Sequence, residues 1–211
     1  MKMNKWMQGA ALLGGLTLAS CAPTQMNSGN MGMMRQTQGR LSVAQPAPTV
    51  GTSTLTLSSA QFRDGGTVPM EQVGSGGCTG MNVSPALSWS GAPAGTVSYV
   101  LTTYDPDAPT GSGFWHWVVY NIPASASSLD KGAGSGTFNL PAGAMQVNND
   151  GGSAGYTGPC PPPGPAHHYI FTLYALNKTL DLPAGAAAAY VGFNLNGATI
   201  AKTSISATYG R

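Results

Sequence analysis

The chain holds three histidines, and all of them fall in two short segments of unusual composition. His116 lies in Gly113-Phe114-Trp115-His116-Trp117-Val118-Val119-Tyr120. His167 and His168 follow Gly158-Pro159-Cys160-Pro161-Pro162-Pro163-Gly164-Pro165-Ala166. A third segment, Tyr104-Asp105-Pro106-Asp107-Ala108-Pro109, places Asp105 and Asp107 in one proline-locked turn. Imidazoles and carboxylates in such company can orient an anion, move a proton or hold a metal. Side chains alternate along a strand, so His116 is expected to point with Phe114 and Val118, opposite Trp115 and Trp117. An unpaired imidazole among apolar neighbours is costly, so it needs a polar partner. Asp105 is the natural candidate, since it ends a strand just before a loop that returns into the strand of His116. A carboxylate on one ring nitrogen fixes the tautomer and leaves the other nitrogen free to donate to an anion.

The second segment adds a wall. Each proline of the run fixes φ and removes a donor, which makes a stiff, extended loop. Gly158 and Gly164 permit tight turns and close approach to a ligand. A stiff loop running into His167 and the aromatic strand at Tyr169 describes a small concave site. The rival chemistries have less behind them. The histidines show no zinc spacing and no cysteine has a near neighbour in sequence, so no metal and no other cofactor is expected. The glycine-rich stretches 132–136 and 151–155 lack the lysine and the strand-to-helix setting of a phosphate loop, and read as turns. No nucleophile elbow is present. Weak hydrolysis by a His–Asp pair is therefore an alternative to binding. Trp115 and Trp117 read as structural packing.

The elements that must position these residues are short strands. Residues 53–57 alternate polar and apolar, while 97–104, 114–122 and 203–209 are rich in β-branched, aromatic or alternating residues. In 169–176 both alternating sets are largely apolar, which marks a central strand covered on both faces. Residues 184–193, after Pro183, read as the one helix. Strands separated by Gly- and Pro-rich turns argue for a mainly β, antiparallel two-sheet sandwich over 51–211. Residues 1–20 read as a signal peptide. Lys2 and Lys5 precede an apolar run, Gly9 to Leu18, that is shorter than the roughly 20 residues needed to span a bilayer. Residues 21–50 read as a polar tether with too little apolar surface to form a core. Of nine Lys and Arg against seven Asp and Glu, Lys2 and Lys5 belong to the leader. The remainder is near neutral, which argues against nucleic acid as a partner. With Cys21 set aside, Cys78 and Cys160 remain as an even pair. In an oxidising compartment they form a disulfide or stay as two buried thiols.

Leu18-Ala19-Ser20-Cys21 resembles the lipobox of bacterial lipoproteins, which implies an exported chain lipid-anchored to the cell envelope through Cys21. The segments Cys78-Thr79-Gly80-Met81-Asn82-Val83-Ser84-Pro85-Ala86-Leu87-Ser88-Trp89, Tyr104 to Pro109, Phe114 to Trp117, Gly155 to Pro162 and Thr208-Tyr209-Gly210-Arg211 occur in order. Together, over about 52–211, they resemble the phosphatidylethanolamine-binding protein family, most of all its bacterial Raf-kinase-inhibitor-like branch. The resemblance implies a large antiparallel sheet packed on a smaller one. It also implies a pocket for a small anion or phosphorylated head group. Asp105, His116, His167 and Tyr169 would line that pocket, Gly158 and Pro159 would form its rim, and Asp107 would brace the loop by accepting backbone hydrogen bonds. An extracytoplasmic protein partner, inhibited or regulated, is the alternative role. The chain departs from the family at two positions, His168 and Asn148, where arginine is common. Both departures lower the expected positive charge near the site.

Overall fold

The computed structural model describes residues 54–211. The expected leader, Cys21 and tether lie outside the described residues. Among the described residues nine strands and one helix follow in chain order: β1 (Thr56–Ser59), β2 (Gly66–Thr67), β3 (Leu87–Ser90), β4 (Ser98–Asp105), β5 (Phe114–Pro123), β6 (Ser128–Leu129), β7 (Met145–Gln146), β8 (His167–Leu176), α1 (Ala188–Asn194) and β9 (Thr199–Tyr209). They form a six-stranded sheet in the order β2-β9-β8-β4-β5-β7 and a three-stranded sheet in the order β1-β3-β6. Every pairing is antiparallel except β2 with β9.

The pattern of apolar residues explains this arrangement. Leu57, Leu87, Trp89 and Leu129 of the small sheet pack with Leu101, Trp117, Phe171 and Leu173 of the large one in a shared core. The opposite face of the large sheet buries Val100, Val118, Tyr174 and Leu176 against Val191 and Leu195 from α1 and the turn after it. β8 is thus covered on both faces, as its double apolar pattern requires, and its residues from Phe171 onward are buried throughout. Removing a side chain such as Phe171 or Leu173 from water contributes on the order of 1.5–3 kcal/mol.

Two expectations about local structure need correction. The helix begins at Ala188 rather than near Ala184. Gly185 has φ of 76° and Ala187 is extended, so the chain turns after Pro183 before it can start a helical run. The second correction lies in β5. Thr103 pairs with Trp117, but Tyr104 pairs with Trp115, so His116 is the extra residue of a β-bulge. The bulge breaks the alternation. Trp117 and Val119 belong to the core between the sheets, whereas Trp115, Val118 and Tyr120 belong to the opposite core. His116 keeps company with Phe114, as expected, but Val118 faces the other way.

Candidate functional site

The site forms where β4 ends, β5 begins and β8 begins. β4 lies between β5 and β8, and Asp105 pairs with Phe114 across the first junction. Tyr104 pairs with Ile170 across the second, which brings Asp105 beside Tyr169. A cavity of about 290 Å³ opens there, lined by Asp105, His116, His167 and Tyr169 on one side. Ala108, Pro109 and Thr110 from the β4–β5 loop and Gly158, Cys160, Pro161 and Pro162 from the proline loop also line it, with Gly76, Phe114 and Thr157. Five of the six residues expected at the pocket line it, and Pro159 does not. Its carbonyl accepts a hydrogen bond from the Gly74 N–H at 2.9 Å.

Asp105 is 3% exposed and anchors the group. Its Oδ2 accepts a hydrogen bond from His167 Nδ1 at 2.7 Å, and its Oδ1 accepts one from the Asp107 backbone N–H at 2.8 Å. The expected Asp105–His116 pairing is not the close one, since His116 Nε2 stands 4.0 Å from Asp105 Oδ2. His116 instead donates from Nδ1 to the Thr157 carbonyl at 2.6 Å. The bulge turns the ring toward the loop before Gly158, and His167 takes the carboxylate. Burial pushes the His116 pKa down, against the upward pull of the Thr157 hydrogen bond and the Asp105 charge. A neutral His116 that donates from Nδ1 carries a lone pair on Nε2. His116 also meets Tyr169 edge-on, with ring centroids 5.2 Å apart.

Tyr169 is 1% exposed, and its hydroxyl has no hydrogen-bond partner. Burial, reinforced by the neighbouring Asp105 charge, pushes its pKa up and keeps the phenol neutral. Buried hydroxyls almost always have a partner, so this one, at a cavity wall, is a donor held ready.

Asp107 ties the β4–β5 loop to β8. Its Oδ2 accepts the His168 backbone N–H at 2.8 Å and the His168 ring Nδ1 at 2.7 Å. Partial burial raises the Asp107 pKa, but the His168 hydrogen bonds outweigh it and hold the carboxyl below its usual value. His168 neighbours His167 on one strand and so points to the opposite face. The charge absent at 168 is therefore absent from the far side of the sheet, not from the pocket lining. Asn148 is likewise outside the lining, bridged through its backbone to Ala154 and Ala187. Both departures from the family pattern lie away from the pocket lining. Trp115 packs on Tyr104 with ring centroids 4.6 Å apart and donates its backbone N–H to Asp150.

Several supporting residues carry no sequence signal of their own. Asn149, buried among polar turns, donates to Gly155 O at 3.0 Å and to Thr157 Oγ1 at 2.8 Å, and so fixes the residue that caps His116. Asn82 accepts the Gly158 N–H at 2.7 Å. Gly158 has no room for a side chain, since a Cβ there would lie 2.3 Å from the Gln72 carbonyl oxygen. Cys78 and Cys160 form a disulfide, with Cα atoms 5.7 Å apart. It joins the proline loop to the glycine-rich loop before it.

A six-stranded sheet backed by a smaller one, with a cavity lined by Asp105, His116, His167 and Tyr169 at the strand ends, defines a class of β proteins that present a small cup at one end of a sheet. The chain belongs to the phosphatidylethanolamine-binding protein family, whose sequence profile matches residues 58–210. It is 48% identical over 155 residues to the protein YbhB of Escherichia coli, covering 72% of this chain and 98% of that one. It is also 44% identical over 143 residues to LppC of Mycobacterium tuberculosis, whose name marks it as a candidate lipoprotein, covering 67% of this chain and 64% of that one. Among solved structures, E. coli YbcL, described as a new member of the mammalian PEBP family, superposes with a TM-score of 0.72 at 44% identity, covering 75% of this chain and 99% of that one. A PEBP homologue from Chlamydia trachomatis superposes with a TM-score of 0.66 at 32% identity, covering 76% and 99%.

Proposed function

We propose that the protein is an envelope-anchored binding module whose cavity takes a small anion or the phosphorylated head group of a larger molecule. The observation that carries this reading is the buried, unpartnered Tyr169 hydroxyl at the wall of a cavity that also holds His116 and His167. An anion accepting from that hydroxyl satisfies it. At about 290 Å³ the cavity sits at the low end of the roughly 300–1,000 Å³ usual for ligand pockets. That suits a head group and not an acyl chain.

Both histidines use Nδ1 toward the protein, so in their neutral forms both Nε2 atoms accept rather than donate. An anion therefore binds with a proton, either taken up by an imidazole or carried on the ligand. Each charge-assisted hydrogen bond so formed contributes on the order of 1.5–3 kcal/mol. Binding is favoured over turnover because Cys160 is committed to the disulfide and the Thr157 hydroxyl is engaged by Asn149. Membrane anchoring through Cys21 draws support from the lipobox-like sequence and from the name of LppC.

Calorimetric titration with inorganic phosphate, phosphoethanolamine and acetate tests this. Saturable binding is expected, with affinity rising as pH falls from about 8 toward 6 and proton uptake that scales with buffer ionisation heat. Absence of binding at millimolar ligand would refute the pocket. Binding without proton linkage would refute the part assigned to the histidines.

A further inference from the structure

One wall of the cavity has no strand behind it. Residues 158–162 are loop, and the Gly74-Ser75-Gly76-Gly77 segment that faces them is three-quarters glycine. Glycine-rich chain loses the most freedom on ordering, so this wall needs ties. Three are already described: the Gly74 N–H to Pro159, the Gly158 N–H to Asn82, and the Cys78–Cys160 disulfide. A fourth comes from outside both loops. Arg211, just past the end of β9, donates from Nε to the Pro161 carbonyl at 2.6 Å and from Nη1 to the Gly77 carbonyl at 3.0 Å. One planar guanidinium thus spans the residues next to both halves of the disulfide. The backbone beneath it is fixed as well. The Arg211 carbonyl accepts the Gly164 N–H at 3.0 Å, and Gly210 lies so close to Ala166 that a Cβ would meet its Cα at 2.8 Å.

We propose that Arg211 is a positioning residue for the pocket. Its forked donor ties the proline wall to the glycine loop in parallel with the disulfide and so sets the geometry in which an anion is held. The role depends on the planar fork and not on charge alone, because a lysine ammonium presents a point charge on a flexible stem and lacks the rigid pair of donors. The inference rests on the anion-pocket reading, but the tie itself is measurable without ligand.

The test compares the unaltered protein with Arg211→Gln and Arg211→Lys by two measurements. Amide hydrogen exchange at Gly74 and Gly158 reports the wall directly, since both N–H groups donate across it. Titration with inorganic phosphate reports the pocket. In Arg211→Gln, exchange at these two amides is expected to rise about tenfold while the centre of β8 stays unchanged, and phosphate affinity is expected to fall about tenfold. Arg211→Lys is expected to resemble Arg211→Gln in both. Unchanged exchange in Arg211→Gln overturns the tie, and so does full rescue of exchange and affinity by Arg211→Lys. Faster exchange in a protein that binds no phosphate even unaltered confirms the tie and rejects the pocket reading instead. Faster exchange with undiminished phosphate affinity overturns the positioning role.

Discussion

At the scale of single residues, the site combines groups whose native states are costly for folding. The Tyr169 hydroxyl is buried without a partner, and its removal relieves a desolvation penalty of roughly 1–3 kcal/mol. Tyr169→Phe is therefore expected to leave the unfolding midpoint unchanged or raise it, while weakening phosphate binding at least about tenfold. Thermal denaturation and titration of the same sample check this; a destabilised variant would mean that the hydroxyl has a structural partner. His116 carries a second cost. Its pKa in the fold is lowered by burial, so the unfolded chain binds its proton first as pH falls. The stability held by the neutral ring is complete above the unfolded value of about 6.5 and is lost as pH drops through the depressed folded value. Unfolding free energy is expected to decline below about pH 6.5, with a slope approaching 1.4 kcal/mol per pH unit from this one group. In His116→Gln that part of the slope should vanish. A slope that persists unchanged would assign it to other groups.

At the scale of elements, the long strands and the loop that carries the prolines were readable because burial leaves a periodic trace. β8 shows this best, since two apolar sets on one strand mean two covered faces. The two-residue strands β2, β6 and β7 have no such trace, because two residues cannot establish a period. The bulge at His116 was invisible for a related reason. Alternation assumes a regular ladder, and the extra residue is defined by its partners on β4 and not by its own sequence neighbours. With that single irregularity the sequence places Asp105 in the pocket but pairs it with His116, whereas the bulge leaves the carboxylate to His167. The supporting roles of Asn149 and Arg211 leave no sequence trace, because each is a set of hydrogen bonds to groups 6 to 134 positions away. The disulfide is an element-scale device, closing a separation of 82 residues. In the chain-entropy view a loop of that length contributes about 4.5 kcal/mol. Reduction by a dithiol is expected to lower the unfolding midpoint by on the order of 10 °C. Cys78→Ser with Cys160→Ser should match the reduced protein. A midpoint insensitive to both would show that the loops are held without the bond.

At the scale of the whole molecule, a small cup at the ends of three strands is carried by a near-neutral chain. Past Lys5 the sequence has no run of basic residues, the feature that draws a chain to anionic lipid. Among the described residues no helix is long and apolar enough to cross one. The means of attachment that the sequence offers is a lipid on Cys21, with residues 22–50 between that point and the family domain. In the proposed reading a cavity too small for an acyl chain meets its ligand from the aqueous side, as a free anion or as an exposed head group. In the proposed reading anchoring keeps the cavity near the envelope surface and has no part in building it. Two consequences can be measured on one pair of strains. In the unaltered protein the mature N-terminal peptide should carry the mass of an acylated cysteine, and the protein should sediment with membranes. With Cys21→Ala it should leave the membrane fraction and keep its phosphate affinity. A protein that stays soluble with Cys21 intact would overturn the anchor. Loss of affinity in the unanchored variant would instead make the bilayer part of the binding site, a surface that the cavity at the ends of β4, β5 and β8 does not by itself supply.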